Sequence, residues 1–213
     1  MLGLMRDSPL LISSLIEHAA HYHPAVEIVS ETCEGPTVRT NYKTLRDRAA
    51  KLARALLRLG VKPGDRIATL AWNTHRHMEL YFAVSGIGAV LHTVNPRLFP
   101  QQIEYIIHHA EARLVFFDIP LADLVSNLKT RLGTVEAFIA MTDDDHLPEN
   151  IPGSLTHEAL IADESAEFVW PRFDERTASS PPPVRRAIRR ACSIRTVQRF
   201  CRSEERRVGK ECQ

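Results

Sequence analysis

Val61-Lys62-Pro63-Gly64-Asp65-Arg66-Ile67-Ala68-Thr69-Leu70-Ala71-Trp72 is a tight turn followed by a nearly all-apolar run. A strand with one wet face alternates apolar and polar residues. A strand covered on both faces reads as a continuous apolar run, the pattern of a parallel sheet sandwiched by helices. Three more runs share that character: Gly88-Ala89-Val90-Leu91-His92-Thr93-Val94, Arg113-Leu114-Val115-Phe116-Phe117-Asp118 and Val135-Glu136-Ala137-Phe138-Ile139-Ala140. Residues 75–86, Pro100 to Ala110 and Leu121 to Leu132 carry helical spacing between them. Strand and helix alternating over short connections predict an α/β fold, a wound parallel sheet with flanking helices.

Upstream of this region, Ser8-Pro9 is suited to cap a helix with an apolar stripe of Leu11, Leu15, Ile16, Ala19 and Ala20, ending near His23-Pro24. Residues 25–29 and 37–40 flank Glu34-Gly35-Pro36 and predict a hairpin. Tyr42 to Leu59 is the clearest helix, with Leu45, Ala49, Leu52, Leu56 and Leu59 on one face and Gly60 at the stop position. Beyond Thr142 the pattern thins. Residues 143–148 read as a loop, Ser154 to Ala162 as a short helix and Trp170 to Glu175 as extended chain.

The 213 residues are 44% apolar and 25% charged, which is the composition of a globular chain rather than a disordered one. No run approaches the roughly 18 apolar residues of a membrane span, and the first residues lack the form of a secretory signal. The expected setting is therefore cytoplasmic. The net charge of +1 conceals a split. Residues 1–180 hold 17 Lys/Arg and 23 Asp/Glu, whereas residues 181–213 hold 10 Lys/Arg and 3 Glu. Cys192, Cys201 and Cys212 lie in the basic stretch and only Cys33 precedes it.

Candidate chemistry in the body is sparse. Asp143, Asp144 and Asp145 are hard-cation ligands by type, yet they lack alternating spacing, a glycine turn and a distal Glu, so a solvated loop is the expected role. Among His18, His21, His23, His75, His77, His92, His108 and His109, only His18 and His21 have the helical i, i+3 spacing of a zinc pair, and no metal site is expected. Cys33 would be a nucleophile only with a base converging on it in space, and it reads as an incidental thiol in the hairpin loop. Gly86 and Gly88 do not form a phosphate-cradling loop and are expected to permit close packing. These residues alone define no active site: no catalytic, nucleotide-binding or metal-binding residue is assigned.

Specific strings add a resemblance. The helix ending at Gly60, followed by Val61-Lys62-Pro63-Gly64-Asp65-Arg66-Ile67-Ala68, resembles the opening of the adenylate-forming acyl-CoA synthetases, in which a helix ends in G-V-x-x-G-D-x-V-A. Trp72-Asn73, His77-Met78-Glu79-Leu80-Tyr81-Phe82-Ala83, Gly88-Ala89-Val90 and Asn95-Pro96-Arg97-Leu98 continue it in order through residues 1–180. Met1 to Met5 with Pro9 to Leu15 looks most like the bacterial short- and medium-chain fatty-acyl and methylthiopropionate CoA ligases. The resemblance implies an incomplete N-terminal subdomain of a ligase that joins a carboxylic acid to coenzyme A, with ATP and Mg2+. It also implies a phosphate loop, Y-T-S-G-T-T-G-x-P-K-G, directly after Thr177-Ala178-Ser179-Ser180. Glycines there let the backbone wrap the phosphates while amides and hydroxyls donate to them.

Pro181-Pro182-Pro183-Val184-Arg185-Arg186 stands in that place. Codons for Pro182 to Ala191, read one base earlier with third bases chosen freely, can spell T-S-G-T-T-G-N-P-K-G. The following codons, to Val197, permit V-L-Y-S-H-R, again a family string. A frameshift near Ser180–Pro181 is inferred. Arg202 to Cys212 looks like a translated sequencing adapter. The expected organisation is a partial ligase domain at 1–180 and a non-native, disordered basic tail at 181–213. The fragment is expected to be inactive, to bind no cofactor by itself, and to expose an apolar sheet edge prone to aggregation. The alternative is an acidic α/β domain whose basic arm binds nucleic acid in a salt-dependent way. A third possibility, a remnant that dimerises or binds ligand weakly, ranks below both.

Overall fold

The computed structural model describes residues 9–174. Helix α1 (Ile12–Tyr22) precedes an antiparallel hairpin, β1 (Glu27–Glu31) and β2 (Thr37–Asn41). Helix α2 (Tyr42–Arg58) then leads into β3 (Arg66–Leu70), α3 (His75–Gly86), β4 (Val90–Thr93), α4 (Pro100–His109) and β5 (Leu114–Phe117). The remainder is α5 (Ala122–Lys129), β6 (Ala137–Ala140), β7 (Leu155–Thr156) and α6 (His157–Ala162). The five strands β3 to β7 form a wholly parallel sheet in the order β4-β3-β5-β6-β7.

Side-chain alternation explains why both faces are apolar. Ile67, Leu91, Leu114, Phe116 and Ile139 point to one side and pack with Leu52 and Leu56 of α2, Leu80 and Val84 of α3, and Leu160 and Ile161 of α6. Ala68, Leu70, Val115, Phe117, Phe138 and Ala140 point to the other, against Ile103 and Ile107 of α4 and Val125 and Leu128 of α5. Adjacent Phe116 and Phe117 are thus both fully buried, each in a different core. The continuous apolar runs of the sequence are the signature of this double cover.

Helix α2 matches its sequence reading closely. The Asn41 side chain accepts the Thr44 amide at its start, and Gly60 takes a positive φ of 77° just past its end. That left-handed conformation ends the helix without a Cβ penalty. Leu45, Ala49, Leu52 and Leu56 are buried and Leu59 is partly so.

Several boundaries differ from the sequence reading, each for a local reason. Helix α1 begins at Ile12 behind Leu11, where the Ser14 hydroxyl donates to the Leu11 carbonyl at 2.6 Å; the expected cap, Ser8, lies outside the described residues. Its inward side chains are Ser13 and Ile16, and Leu15 is half exposed. Strand β1 starts two residues later than predicted because the Val26 amide closes a turn onto the His23 carbonyl. Ala71 and Trp72 leave β3 because the Trp72 amide donates to the Asp118 carboxylate at 2.6 Å rather than to the ladder. Residues 119–121 form a 3-10 turn, so the predicted 121–132 helix shortens to α5. The predicted 154–162 helix is divided too: Leu155 and Thr156 pair with β6, and the Thr156 hydroxyl then caps α6 by accepting the Ala159 amide.

Residues 163–174 lie outside regular structure and form a strap across the helices. Arg46 of α2 donates to the Ala166 carbonyl at 3.0 Å, and the Trp170 indole donates to Glu17 of α1 at 2.7 Å. The Trp170 ring lies directly on Gly86, where a Cβ would overlap it, and Phe173 sits beside Gly88. Gly86 therefore serves close approach, as expected from the sequence, whereas Gly88 is required by its positive φ of 80° just past α3, since a Cβ there would meet Phe173 only at ordinary contact distance. Gly86→Ala is expected to displace the strap and to cost about 1–3 kcal/mol of stability, the range for overpacking. Thermal or urea unfolding checks this. In a Trp170→Ala background the same change should instead stabilise α3 by about 1 kcal/mol, because only helix propensity remains.

Candidate functional site

In a doubly wound sheet, ligands bind in the crevice beyond the carboxyl ends of strands that diverge to opposite sides. Here β3 is flanked by β4 and β5, the connecting helices α3 and α4 lie on opposite faces, and the crevice falls between the ends of β3 and β5. Asp118, directly after β5, is 2% exposed and accepts the Trp72 amide. Thr74 caps α3 by accepting the His77 amide. Met141 and Thr142 follow β6 and are buried.

The tip of the β1–β2 hairpin folds onto this edge. Glu34 accepts from Arg76 Nη1 at 2.7 Å, and the two side chains are only 6% and 11% exposed. Arg76, on the first turn of α3, also donates to the Met141 carbonyl at 3.1 Å and through Nε to Glu158 of α6 at 2.8 Å. One guanidinium thus ties the hairpin, α3, the end of β6 and α6 together.

A second guanidinium lies deeper. Arg48 of α2 donates to Glu79 of α3 at 2.6 Å and to both carboxylate oxygens of Glu158, at 2.9 and 2.8 Å. The other oxygen of Glu79 meets His157 Nε2 at 2.8 Å, where Glu79 is 1% and His157 0% exposed. The His157 ring also stands edge-on to Phe116. Desolvation alone would keep such carboxyls protonated, so their partners decide the charge. Burial pushes Glu79 up, but His157 and Arg48 more than offset it and hold its carboxyl below the ordinary range. Glu158, under the same burial, is brought down to about 2 by Arg48 and Arg76.

The crevice side of the cluster differs. Asp118 is pushed up to about 6 by burial and by Glu34, only partly opposed by the Trp72 amide and Arg76. Cys33 is pushed up to about 11 by burial, Asp118 and Glu34, so its thiol stays protonated at neutral pH and is a poor nucleophile. The arrangement is a clamp: it orders the crevice walls and presents no nucleophile with its base.

The other residues weighed from sequence are dispersed. His18, His21 and His23 are exposed at the end of α1, with His18 and His21 each against Tyr22. His75 bonds to Ser30, His77 to Thr69 and the Trp72 carbonyl, and His92 is buried on β4. Burial lowers all three below the usual imidazole value. His109 stacks on Tyr105, and His108 is exposed. Asp143 pairs with His146 at 2.6 Å, and Asp144 accepts the Thr156 hydroxyl. Among the described residues no three His, Cys, Asp or Glu side chains form a metal-holding group. Arg48, Arg76, Glu79 and Glu158 escaped the sequence reading. Their one visible signal is position: Glu79 precedes buried Leu80 and Ala83 on α3, and Arg48 precedes buried Ala49 and Leu52 on α2.

With the fold and crevice in place, comparison with known proteins is decisive. The family model described as AMP-binding enzyme matches residues 16–184. The chain belongs to the AMP-binding enzyme family. Within that family it is 49% identical over 182 residues to the 3-methylmercaptopropionyl-CoA ligase of Ruegeria lacuscaerulensis, covering 84% of this chain and 34% of that one. It is 44% identical over 181 residues to the medium-chain-fatty-acid–CoA ligase of Ectopseudomonas oleovorans, covering 84% and 33%. The acetoacetyl-CoA synthetase of Streptomyces lividans shares the fold, with a TM-score of 0.67, 22% identity and coverage of 78% and 27%. The chain spans about a third of the length of the curated relatives it matches. The readings of residues 181–213 lie outside the described residues. No helix among the described residues is long and apolar enough to cross a membrane.

The clamp predicts an acid limb of stability. The folded pKa of Glu158, about 2, lies below its unfolded value near 4.3, so the stability it supplies is present above that value and is lost as pH falls toward 2. Asp118, raised to about 6, acts in the opposite sense and withdraws stability as pH rises from about 4 to 6. Urea midpoints measured from pH 2.5 to 5 should fall steeply on the acid side. Glu158→Gln should lower the midpoint at pH 5 and flatten that limb.

Proposed function

We propose that residues 1–180 are the N-terminal part of an AMP-forming acyl-CoA ligase acting on a short- or medium-chain carboxylic acid. The carrying observation is 49% identity, sustained over 84% of the chain, to a 3-methylmercaptopropionyl-CoA ligase. The medium-chain fatty-acid ligase at 44% supports the same substrate range. The parent reaction consumes a fatty acid, ATP and CoA and yields acyl-CoA, AMP and diphosphate, with Mg2+ accompanying the nucleotide, in a cytoplasmic setting.

The described residues do not fit ATP. Its phosphates need successive backbone amides and small residues around one concavity. The glycines with positive φ here (Gly35, Gly60, Gly64, Gly88 and Gly153) each serve a separate turn. The nearest guanidinium to the end of β5, that of Arg76, is already taken up by Glu34 and Glu158. No step of the reaction is therefore assigned to residues 9–174. Their role in this reading is to form one α/β layer of the ligase, while the nucleotide and acyl sites belong to other parts of the parent. Residues 181–213 are read as non-native sequence, and the chain as given is read as inactive. No observation favours the nucleic-acid-binding arm.

The test compares two proteins with ATP, Mg2+, CoA and a panel of acids from propanoate to decanoate that includes 3-(methylsulfanyl)propanoate. The chain as given should release no acid-dependent AMP. A fusion of residues 1–180 to the downstream two-thirds of the Ruegeria ligase should release AMP with at least one of these acids. A folded but inactive fusion, or activity in the chain as given, would contradict the reading.

A further inference from the structure

Helix α4 turns Ile103 and Ile107 into the core and a face of aromatic, aliphatic and amide side chains outward. On that face Phe99, at the start of the helix, is 74% exposed and Tyr105 is 62% exposed. The Phe99 backbone is fixed. Its amide donates to the Gln102 side chain at 3.2 Å, and its carbonyl accepts the Gln102 and Ile103 amides at 2.9 and 3.1 Å. The ring is thus held out from a rigid stem. Beside it lies a groove of about 500 Å3, lined by Leu98, Gln101, Gln102, Tyr105 and Ile106. An aromatic ring gains more from burial than any other side chain of its kind, so an exposed aromatic knob next to an apolar groove marks a contact surface.

We propose that this face binds a second copy of the chain, the two α4 helices packing antiparallel about a two-fold axis so that Phe99 of each enters the groove of the other. A two-fold contact needs a surface complementary to itself, and here the knob and the groove that receives it sit on one helix. The Gln101 amide offers both donors and an acceptor, so like meets like without an unpaired polar group. The charges agree as well. Arg97, exposed just before α4, comes beside the carboxyl end of the partner helix, where the helix dipole favours a cation. Glu104 is already paired with Arg131 of the same copy at 3.3 Å, so no bare carboxylate is carried into the contact.

The contact is small, and the dimer belongs to the weak class that buries less than about 1,200 Å2. This inference does not rest on the ligase reading. In sedimentation velocity of the full-length chain, the mass should rise toward twice the single-chain value as the concentration is raised to about 100 μM. Phe99→Ser should weaken association about tenfold. Val169→Ser, which removes an exposed apolar side chain from the strap, should leave it unchanged. A second measurement needs no variant: in a mixture of isotope-labelled and unlabelled copies, filtered NMR should place the Phe99 ring of one copy against the Ile106 methyl groups of the other. A chain that stays monomeric would overturn the proposal and leave the face to a different partner. Association that Phe99→Ser does not weaken, that Val169→Ser weakens equally, or that grows past a dimer would overturn it too and assign the contact to general apolar or sheet-edge association.

Discussion

The Arg48 guanidinium, spread between Glu79 and Glu158, is the constraint on which the rest of the described structure depends. It joins α2, α3 and α6 on one side of the sheet. Because α6 follows directly from β7, the same contact sets the outer edge of the sheet relative to its centre. Burying ions is costly, and a cluster of this kind contributes order only when every member keeps its partners. His157 closes the remaining oxygen of Glu79, and Arg76 adds a third hydrogen bond to the Glu158 carboxylate while reaching out to the hairpin. Apolar packing supplies the driving force for this half of the domain. The ion cluster selects one arrangement of its helices.

The same cluster explains a gradient across the molecule. Deep within it, Glu79 and Glu158 are held ionised by arginine and histidine partners. At the crevice the balance reverses: burial, with Glu34 beside it, outweighs the Trp72 amide, Arg76 and His157 and raises Asp118. Glu79 and Glu158 therefore stay charged near neutral pH, whereas Asp118, raised to about 6, changes charge just below it. The strap of residues 163–174 is held by charge and by shape together, with Glu164 paired to Arg54 and Arg58 of α2 and Trp170 seated on Gly86.

The parts legible in the sequence are those with a short-range signature. Four strands declared themselves because each is covered on both faces and reads as an unbroken apolar run, and α2 because its stripe ends at Gly60. Strand β7 was hidden because two residues have no period. Helix α1 was legible only in part: Ile16 of the predicted stripe is buried, but its other inward residue is the polar Ser13, and the apolar Leu15 is half exposed. The ion cluster was illegible for another reason. Arg48 meets Glu79 across 31 residues and Glu158 across 110, and each alone looks like a solvated charge on a helix. Family membership was readable from strings such as the turn at Val61 to Asp65, although physical chemistry alone assigned those residues only a turn and a strand.

The most direct test of this account is a double-mutant cycle on Arg48→Met and Glu158→Gln, read by urea unfolding at pH 7. A shared buried cluster requires the two effects to couple, by about 1–3 kcal/mol, since removing Arg48 strands Glu158 and removing the charge of Glu158 relieves that loss. Additivity within about 0.5 kcal/mol would show that the two residues act independently and that the helices are positioned by apolar packing alone.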